Sequence, residues 1–304
     1  MSSRFPLLRL PRLVLFEVFK ALSIDEKIKL SLCSKKISTQ INNARLYSQK
    51  VIVALDLLYK EINVYSENKK DTLEISIHPD PRKTLNSSTR QFFTACYTKG
   101  ITIFWENHRD GYLSVIRHMS KMFQCKFSIS KNFNSDIYQP VVSELFDLQQ
   151  EFKTFTIDLN VLKDLKLWDH ISTKFGLVEY LKISSFVNSD FKLVITSWPQ
   201  EIIIMRSDWI TLDSLLTCTC TKITLGELGN KDFDEILKKW KTGGFPKLKQ
   251  LKIYSMRITN NVEHILGMNF WELSKKVIQT NDGSKKATIN TGYGRVEMSV
   301  TPAE

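Results

Sequence analysis

No apolar run in this 304-residue sequence approaches the roughly 18 residues needed to cross a bilayer. The longest tempting stretch, residues 51–58, already carries Asp56, so no membrane insertion is expected. The first residues imitate a secretory signal, with Arg4, Arg9 and Arg12 ahead of Leu13-Val-Leu-Phe, but Glu17 and Lys20 interrupt the apolar stretch too early. The start therefore reads as mature protein. Cysteine is sparse and odd in number: five, spread over the chain without framework spacing, which excludes a disulfide scaffold and suits a reducing cytosol or nucleus. The close pair Cys218-Thr-Cys220 has no second ligand pair at metal spacing, and in a strand the two thiols would simply share a face, so no metal is expected there.

Converging catalytic groups are missing too. The histidines, His78, His108, His118, His170 and His264, lie far apart, and Asp169-His170 beside Ser172 lacks the strand-to-helix elbow of a hydrolase nucleophile, so it reads as helix surface. Gly226-Glu-Leu-Gly229 lacks both the Lys-Ser/Thr ending and the third glycine of phosphate-binding loops, which leaves a turn before a helix. Neither catalysis nor a cofactor is expected. Positive charge is abundant but unclustered: 43 Lys and Arg against 32 Asp and Glu, a net +11 and a pI near 9.3. That balance raises nucleic-acid binding. The densest group, Lys238, Lys239, Lys241, Lys247, Lys249 and Lys252, straddles a helix end and an alternating strand, where lysines solvate outer faces. A dedicated nucleic-acid surface is not expected, and the surplus favours acidic partners.

What is present begins with residues 4–47. After Leu10-Pro11, the residues Leu15, Val18, Phe19 and Leu22 fall at i, i+3, i+4 and i+7, one apolar face of a helix. Ser23-Ile-Asp-Glu26 is a capping box that ends this helix and opens a second. On the second, Leu30, Cys33, Ile37 and Ile41 keep one face and Ile24, Ile28 and Leu32 another. About 45 residues bury too little area to fold robustly alone. One face therefore falls to the rest of the chain and the other to a partner, as helix-in-groove anchors.

Leu10-Pro11, Val14, Val18, Leu22-Ser23, Leu30, Cys33-Ser34 and Lys35-Lys36 stand where the F-box pattern has its Leu-Pro pair, Leu-Ser break, leucines, small apolar residue, serine and two basic residues. Residues 4–47 thus resemble an F-box. The chain departs from the pattern at Arg12, where the residue after the proline is usually acidic, and at Ile37, where a tryptophan is usual. The resemblance implies a Skp-type linker protein, and through it a cullin, as partners. The residues it implies at the linker interface are Leu10, Pro11, Val14, Val18, Leu22, Leu30, Cys33 and Ile37.

From Gln49 the period changes to two. Val51-Ile-Val-Ala-Leu, Glu61-Ile-Asn-Val-Tyr, Leu73-Glu-Ile-Ser-Ile and Ile101-Thr-Ile-Phe-Trp105 read as strands, with a turn at residues 67–71 and an exposed loop at 78–89. A unit then recurs: a four-residue alternating strand followed by a helical segment. Its strands are Lys126-Phe-Ser-Ile, Thr154-Phe-Thr-Ile, Tyr180-Leu-Lys-Ile, Ile202-Ile-Ile-Met, Lys222-Ile-Thr-Leu and Gln250-Leu-Lys-Ile. Their starts are about 20 to 28 residues apart, the period of leucine-rich-repeat units, although the asparagine ladder of such repeats is missing. Phe233, Ile236, Leu237 and Trp240 make one such helix, with Asn230 as its cap and Gly243-Gly244 as its stop. The end reads as a β-meander, with an Asp282-Gly283 turn and a last strand from Arg295. The fold class is α/β: a helical module at 4–47, then an α/β body at 49–304, leucine-rich-repeat-like and closed by the meander. A non-repeating α/β sheet is the alternative.

Asp208-Trp209, Leu212-Asp-Ser-Leu-Leu216, Cys220-Thr-Lys-Ile223, Asn230-Lys-Asp232, Leu237-Lys-Lys-Trp240 and Pro246-Lys-Leu248 resemble the F-box-associated domain expanded in nematodes. The two resemblances together imply a non-catalytic substrate receptor of a Skp/cullin/F-box ubiquitin ligase, with an unidentified protein target held by the body. The alternative is a repeat-domain scaffold, or a nucleic-acid-associated protein, with no ligase role.

Overall fold

The computed structural model describes residues 7–44, 50–68, 71–79, 100–105, 107–123, 125–129, 136–158, 165–184, 194–207, 209–259 and 264–303. It divides into two compact units, Met1–Leu145 and Phe146–Glu304.

The first unit opens with a 3-10 turn, Leu7–Arg9, and three helices, α1 (Arg12–Ala21), α2 (Ile24–Cys33) and α3 (Lys35–Asn43). The capping box closes as its residues dictate: Ser23 Oγ accepts from the Glu26 amide at 3.2 Å, and the Glu26 carboxylate accepts from the Ser23 amide at 2.9 Å. The expected single second helix is two. Ser34 breaks it by taking extended backbone and offering its hydroxyl to the Ile37 amide at 3.5 Å, so α3 starts anew. The burial differs from the expected faces. Ile24 and Ile28 are buried but Leu32 is exposed, while Ile41 turns inward.

Behind the helices lie β1 (Val51–Asp56), β2 (Glu61–Ser66), β3 (Thr72–Pro79), β4 (Gly100–Trp105) and β5 (Cys125–Ile129), with α4 (His108–Met122) between the last two. Their order is β5-β1-β2-β3-β4; β1, β2 and β3 pair antiparallel, and β5 and β4 flank them in parallel. The strand β3 runs on through His78 and Pro79, where a loop was expected; the remainder of that loop, like the turn residues 69–70, lies outside the described residues. Alternation along β2 and β3 turns Ile62, Val64, Leu73 and Ile75 inward, and Tyr112 of α4 donates its hydroxyl to the Glu61 carbonyl at 3.1 Å.

A further helix, α5 (Tyr138–Asp147), spans the boundary in the sequence. The second unit contains β6 (Phe152–Asp158), α6 (Leu165–Ser172), β7 (Val178–Ser184), β8 (Glu201–Ile204), α7 (Leu212–Leu216), β9 (Lys222–Gly226), α8 (Asn230–Lys241) and β10 (Gln250–Tyr254). All five strands pair in parallel with their sequence neighbours, as their common four-residue pattern requires. The register aligns Leu181, Ile202, Ile223 and Leu251 in one row and Ile183, Ile204, Leu225 and Ile253 in the next, all buried. The meander, β11 (Lys276–Gln279), β12 (Lys285–Gly292) and β13 (Arg295–Pro302), adds antiparallel strands beyond β10.

Helix α8 buries Phe233, Ile236, Leu237 and Trp240, the expected stripe, and ends where Gly243 takes φ +89°. Its cap sits one residue before the expected one. Asp232 accepts from the Gly229 amide at 3.2 Å, and Asn230, inside the helix, instead exchanges hydrogen bonds with the Thr259 backbone at 2.7 and 3.0 Å. Gly226 is required for a different reason: a Cβ there would lie 2.0 Å from the Met205 carbonyl oxygen. The pair Cys218 and Cys220 lies in the turn after α7 rather than in a strand, and both thiols are buried. Burial and the neighbouring Cys218 thiol push the Cys220 thiol far above its usual range, with the Cys218 hydrogen bond as the largest cause.

Candidate interaction surfaces

The N-terminal helices sort their residues by side. Inward go Leu15 and Phe19 of α1, Ile24, Lys27, Ile28 and Ser31 of α2, and Ile41 of α3. Of the eight residues expected at a partner interface, none is buried: Pro11, Val14 and Cys33 are exposed, and Leu10, Val18, Leu22, Leu30 and Ile37 are half-exposed. The helices are therefore not capped on that side by the rest of the described unit. Two residues outside that expectation join them, Leu13 at 80 % and Leu32 at 47 % exposure. Leu13 lies off the i, i+3, i+4 stripe that begins at Leu15, so periodicity alone assigned it to no face. Leu32 shares the four-residue spacing of Ile24 and Ile28, but on the ten-residue α2 only the first two are covered.

The opposite side of α2 is held by polar as well as apolar contacts. Ser31 Oγ donates to the Ile28 carbonyl at 2.7 Å and lies 2.8 Å from His118 Nε2 of α4. Burial, and secondarily Lys121, lowers the His118 pKa, so the neutral ring is the form that fits there. Lys27 is also buried; desolvation lowers its pKa, with Asp71 and then Glu26 opposing that shift.

A second surface lies at the carboxyl ends of the parallel strands in the other unit, where ligands of open α/β sheets commonly bind. Met205, Tyr254, Met256 and Tyr293 are all exposed there, and the Arg295 guanidinium lies 5.9 Å from the centre of the Tyr254 ring. Beside Met205 a cavity of about 290 Å³ is lined by Ser207, Thr211, Glu227, Asp232 and Arg257 with four aliphatic side chains. At the amino ends of the same strands the charges pair with one another, Lys153 with Glu179 at 2.7 Å and Lys222 with Glu201 at 2.6 Å, and Lys252 within β10 lies 3.5 Å from Glu297. The lysine group at 238–252 points to solvent or into such pairs, Lys238 reaching Asp234 at 2.6 Å.

His170 meets Asp147 at 2.9 Å, while Ser172 is buried two residues on. Among the described residues no group of three or more His, Cys, Asp or Glu could hold a metal ion, and no helix is long and apolar enough to cross a membrane.

The strands β8, β9 and β10 with α7 and α8, which carry the second surface, fall in the stretch that decides the comparison. Residues 190–253 match the F-box associated family model. The matched segment contains residues 204–253, on which the sequence resemblance rested. The chain is also similar to an E3 ubiquitin-protein ligase, hecw-1, of Caenorhabditis elegans: 24 % identical over 299 residues, covering 86 % of this chain. The chain spans about a quarter (24 %) of the length of that relative. No solved structure matches. The F-box associated segment thus covers β8, α7, β9, α8 and all but the last residue of β10, three of the six recurring strands, and neither the earlier strands nor the N-terminal helices.

Proposed function

We propose that the protein is a non-catalytic substrate-recognition adaptor of a Skp/cullin/F-box ubiquitin ligase, working in the cytosol or nucleus. Residues 4–47 act as the F-box and bind a Skp-type linker, and the leucine-rich-repeat-like body at 49–304 holds a protein target. The observation that carries this reading is the F-box associated match at 190–253, downstream of helices on which none of the eight expected interface residues is buried. The similarity to a ubiquitin-protein ligase supports a role connected with ubiquitin. In this reading the linker takes Leu10, Pro11, Val14, Val18, Leu22, Leu30, Cys33 and Ile37, and the target takes the surface around Met205, Tyr254 and Tyr293.

The test is linker affinity by titration of the full chain, wild type against a Leu10→Ala/Pro11→Ala double variant, alongside both melting temperatures. Neither residue is buried, so folding is expected to be kept. Truncated anchors cost about 2 kcal/mol each at a hot spot, roughly a thirtyfold loss of affinity. The target is expected to stay bound, so the variant holds it without passing on ubiquitin. Unchanged linker affinity in a folded double variant removes the adaptor reading.

A further inference from the structure

The exposed side of the N-terminal helices is apolar in its middle and basic around it. Between residues 7 and 44 seven cations face three acids, and the acids are already engaged. Glu17 lies 3.8 Å from Lys20, Asp25 is 2.7 Å from Lys29, and Glu26 closes the Ser23 cap. Lys27 is buried. Arg9, Arg12, Lys35 and Lys36 are exposed and make no ion pair among the described residues. Arg9 precedes Leu10 and Pro11, Arg12 adjoins Leu13 and Val14, and Lys35-Lys36 opens α3 directly after Leu32, Cys33 and Ser34. Four uncompensated charges therefore border the exposed apolar residues at both ends of the module.

Arg12 is also held in place. Its guanidinium sits over the Phe16 ring, 5.2 Å from the centroid, so less side-chain entropy is lost when it pairs. The F-box pattern has an acid at this position, so the sign of the border is reversed in this chain at a defined point.

We infer that this side receives a protein whose apolar groove is bordered by carboxylates, with Arg12, Lys35 and Lys36 as the residues that select it. The inference rests on the adaptor reading, because the groove belongs to the Skp-type linker. A protein fits better than a uniformly anionic lipid or nucleic-acid surface. Glu17, largely exposed, lies one helical turn from Leu13, where a continuous sheet of negative charge would repel it. A folded groove can set a cation opposite Glu17 and carboxylates opposite Arg12, Lys35 and Lys36. Charges at the rim of an apolar contact act mainly on association rate and on partner choice.

The experiment measures association and dissociation rates of the full chain with purified Skp-type linker at about 50 and 500 mM salt, where screening lengths differ several-fold. Wild type is compared with Arg12→Glu and with Lys35→Glu/Lys36→Glu. Arg12 is the first residue of α1, where an acid suits the helix dipole, so Arg12→Glu is expected to keep its melting temperature. At low salt each variant is expected to associate about tenfold more slowly than wild type, with the difference shrinking at high salt. Linker binding by wild type that is indifferent to salt and to both variants overturns the inference and leaves the adaptor reading intact. No linker binding by wild type at either salt overturns both. Capture of wild type by phosphatidylserine vesicles or duplex DNA, lost in Arg12→Glu while linker rates stay unmoved, overturns the inference in favour of an anionic surface.

Discussion

The two compact units differ in what they bury. The second closes over aromatic and branched side chains, with Trp168 edge-on to Trp209 at 5.7 Å and Phe146, Phe152 and Phe155 in mutual contact. Its buried polar groups are uncharged, and several bond to the backbone of other segments, as Ser207 does to the Gly226 carbonyl, Ser255 to that of Leu228 and Asn230 to the Thr259 backbone. The first unit buries Lys27, the one fully buried charge among the described residues, and sets Ser31 against His118 under α2. A repeated apolar pattern gives each strand the same neighbours on both sides, so the second unit needs no polar contact to fix its register. The first unit joins a helical module to a mixed sheet, and polar contacts on α2 fix which side of that helix faces in.

The largest break in this comparison is Phe233→Ala in α8. Removing a fully buried ring is expected to cost about 3–5 kcal/mol, whereas Leu13→Ala on the exposed side of α1 is expected to stay within about 0.5 kcal/mol. Urea melts of the two variants beside wild type measure both. Comparable losses would mean that Leu13 is covered in solution. A smaller effect is expected at Gly226→Ala, where the new methyl group meets the Met205 carbonyl and the two strands must separate, at about 1–3 kcal/mol. A melt indistinguishable from wild type would show that β8 and β9 approach less closely than their register implies.

The smallest effect sharpens the contrast through pH. The folded pKa of His118 is lowered by burial, so as pH falls through the usual histidine value near 6.5 the unfolded chain takes up the proton first. The stability contribution is complete above that value and is lost progressively below it, down to the lowered folded pKa. Corrected for the intrinsic pH dependence of exchange, the protection of the α2 amides is expected to fall as pH drops below about 6.5 in wild type, and not in His118→Gln. The α8 amides of the second unit are expected to show no such step. An equal step in both units would place the titrating group elsewhere.

How legible each unit was follows from the same difference. In the second unit every strand of the recurring pattern is found where alternation placed it, because a four-residue strand flanked on both sides by its like has few other ways to bury Ile202-type positions. The cap of α8 was misplaced by one residue because Asn230 has the side chain of a cap; nothing local revealed that Thr259, 29 residues away, would take it. In the first unit the capping box at Ser23 and Glu26 was readable, being made of neighbours. The break at Ser34 was not, since Ser-Lys-Lys continues a helical period as easily as it starts one. The outward setting of Leu13 and Leu32 follows from how α1 and α2 pack on the unit, which is not a property of nearby sequence. The F-box resemblance named eight interface positions by pattern; that none of the eight is buried is information only the folded unit supplies.

The division of α2 has a consequence for how such a chain changes over generations. Ile24, Lys27, Ile28 and Ser31 are buried in the fold, while Leu32 and Cys33 on the same ten-residue helix are exposed. Because the two sets share no member, a substitution at Leu32 or Cys33 removes none of the buried side chains that hold α2 to the unit. A lineage can then drift in partner preference at Leu32 or Cys33 without spending its narrow margin of stability, and can repair stability at Ser31 without altering what it recognises.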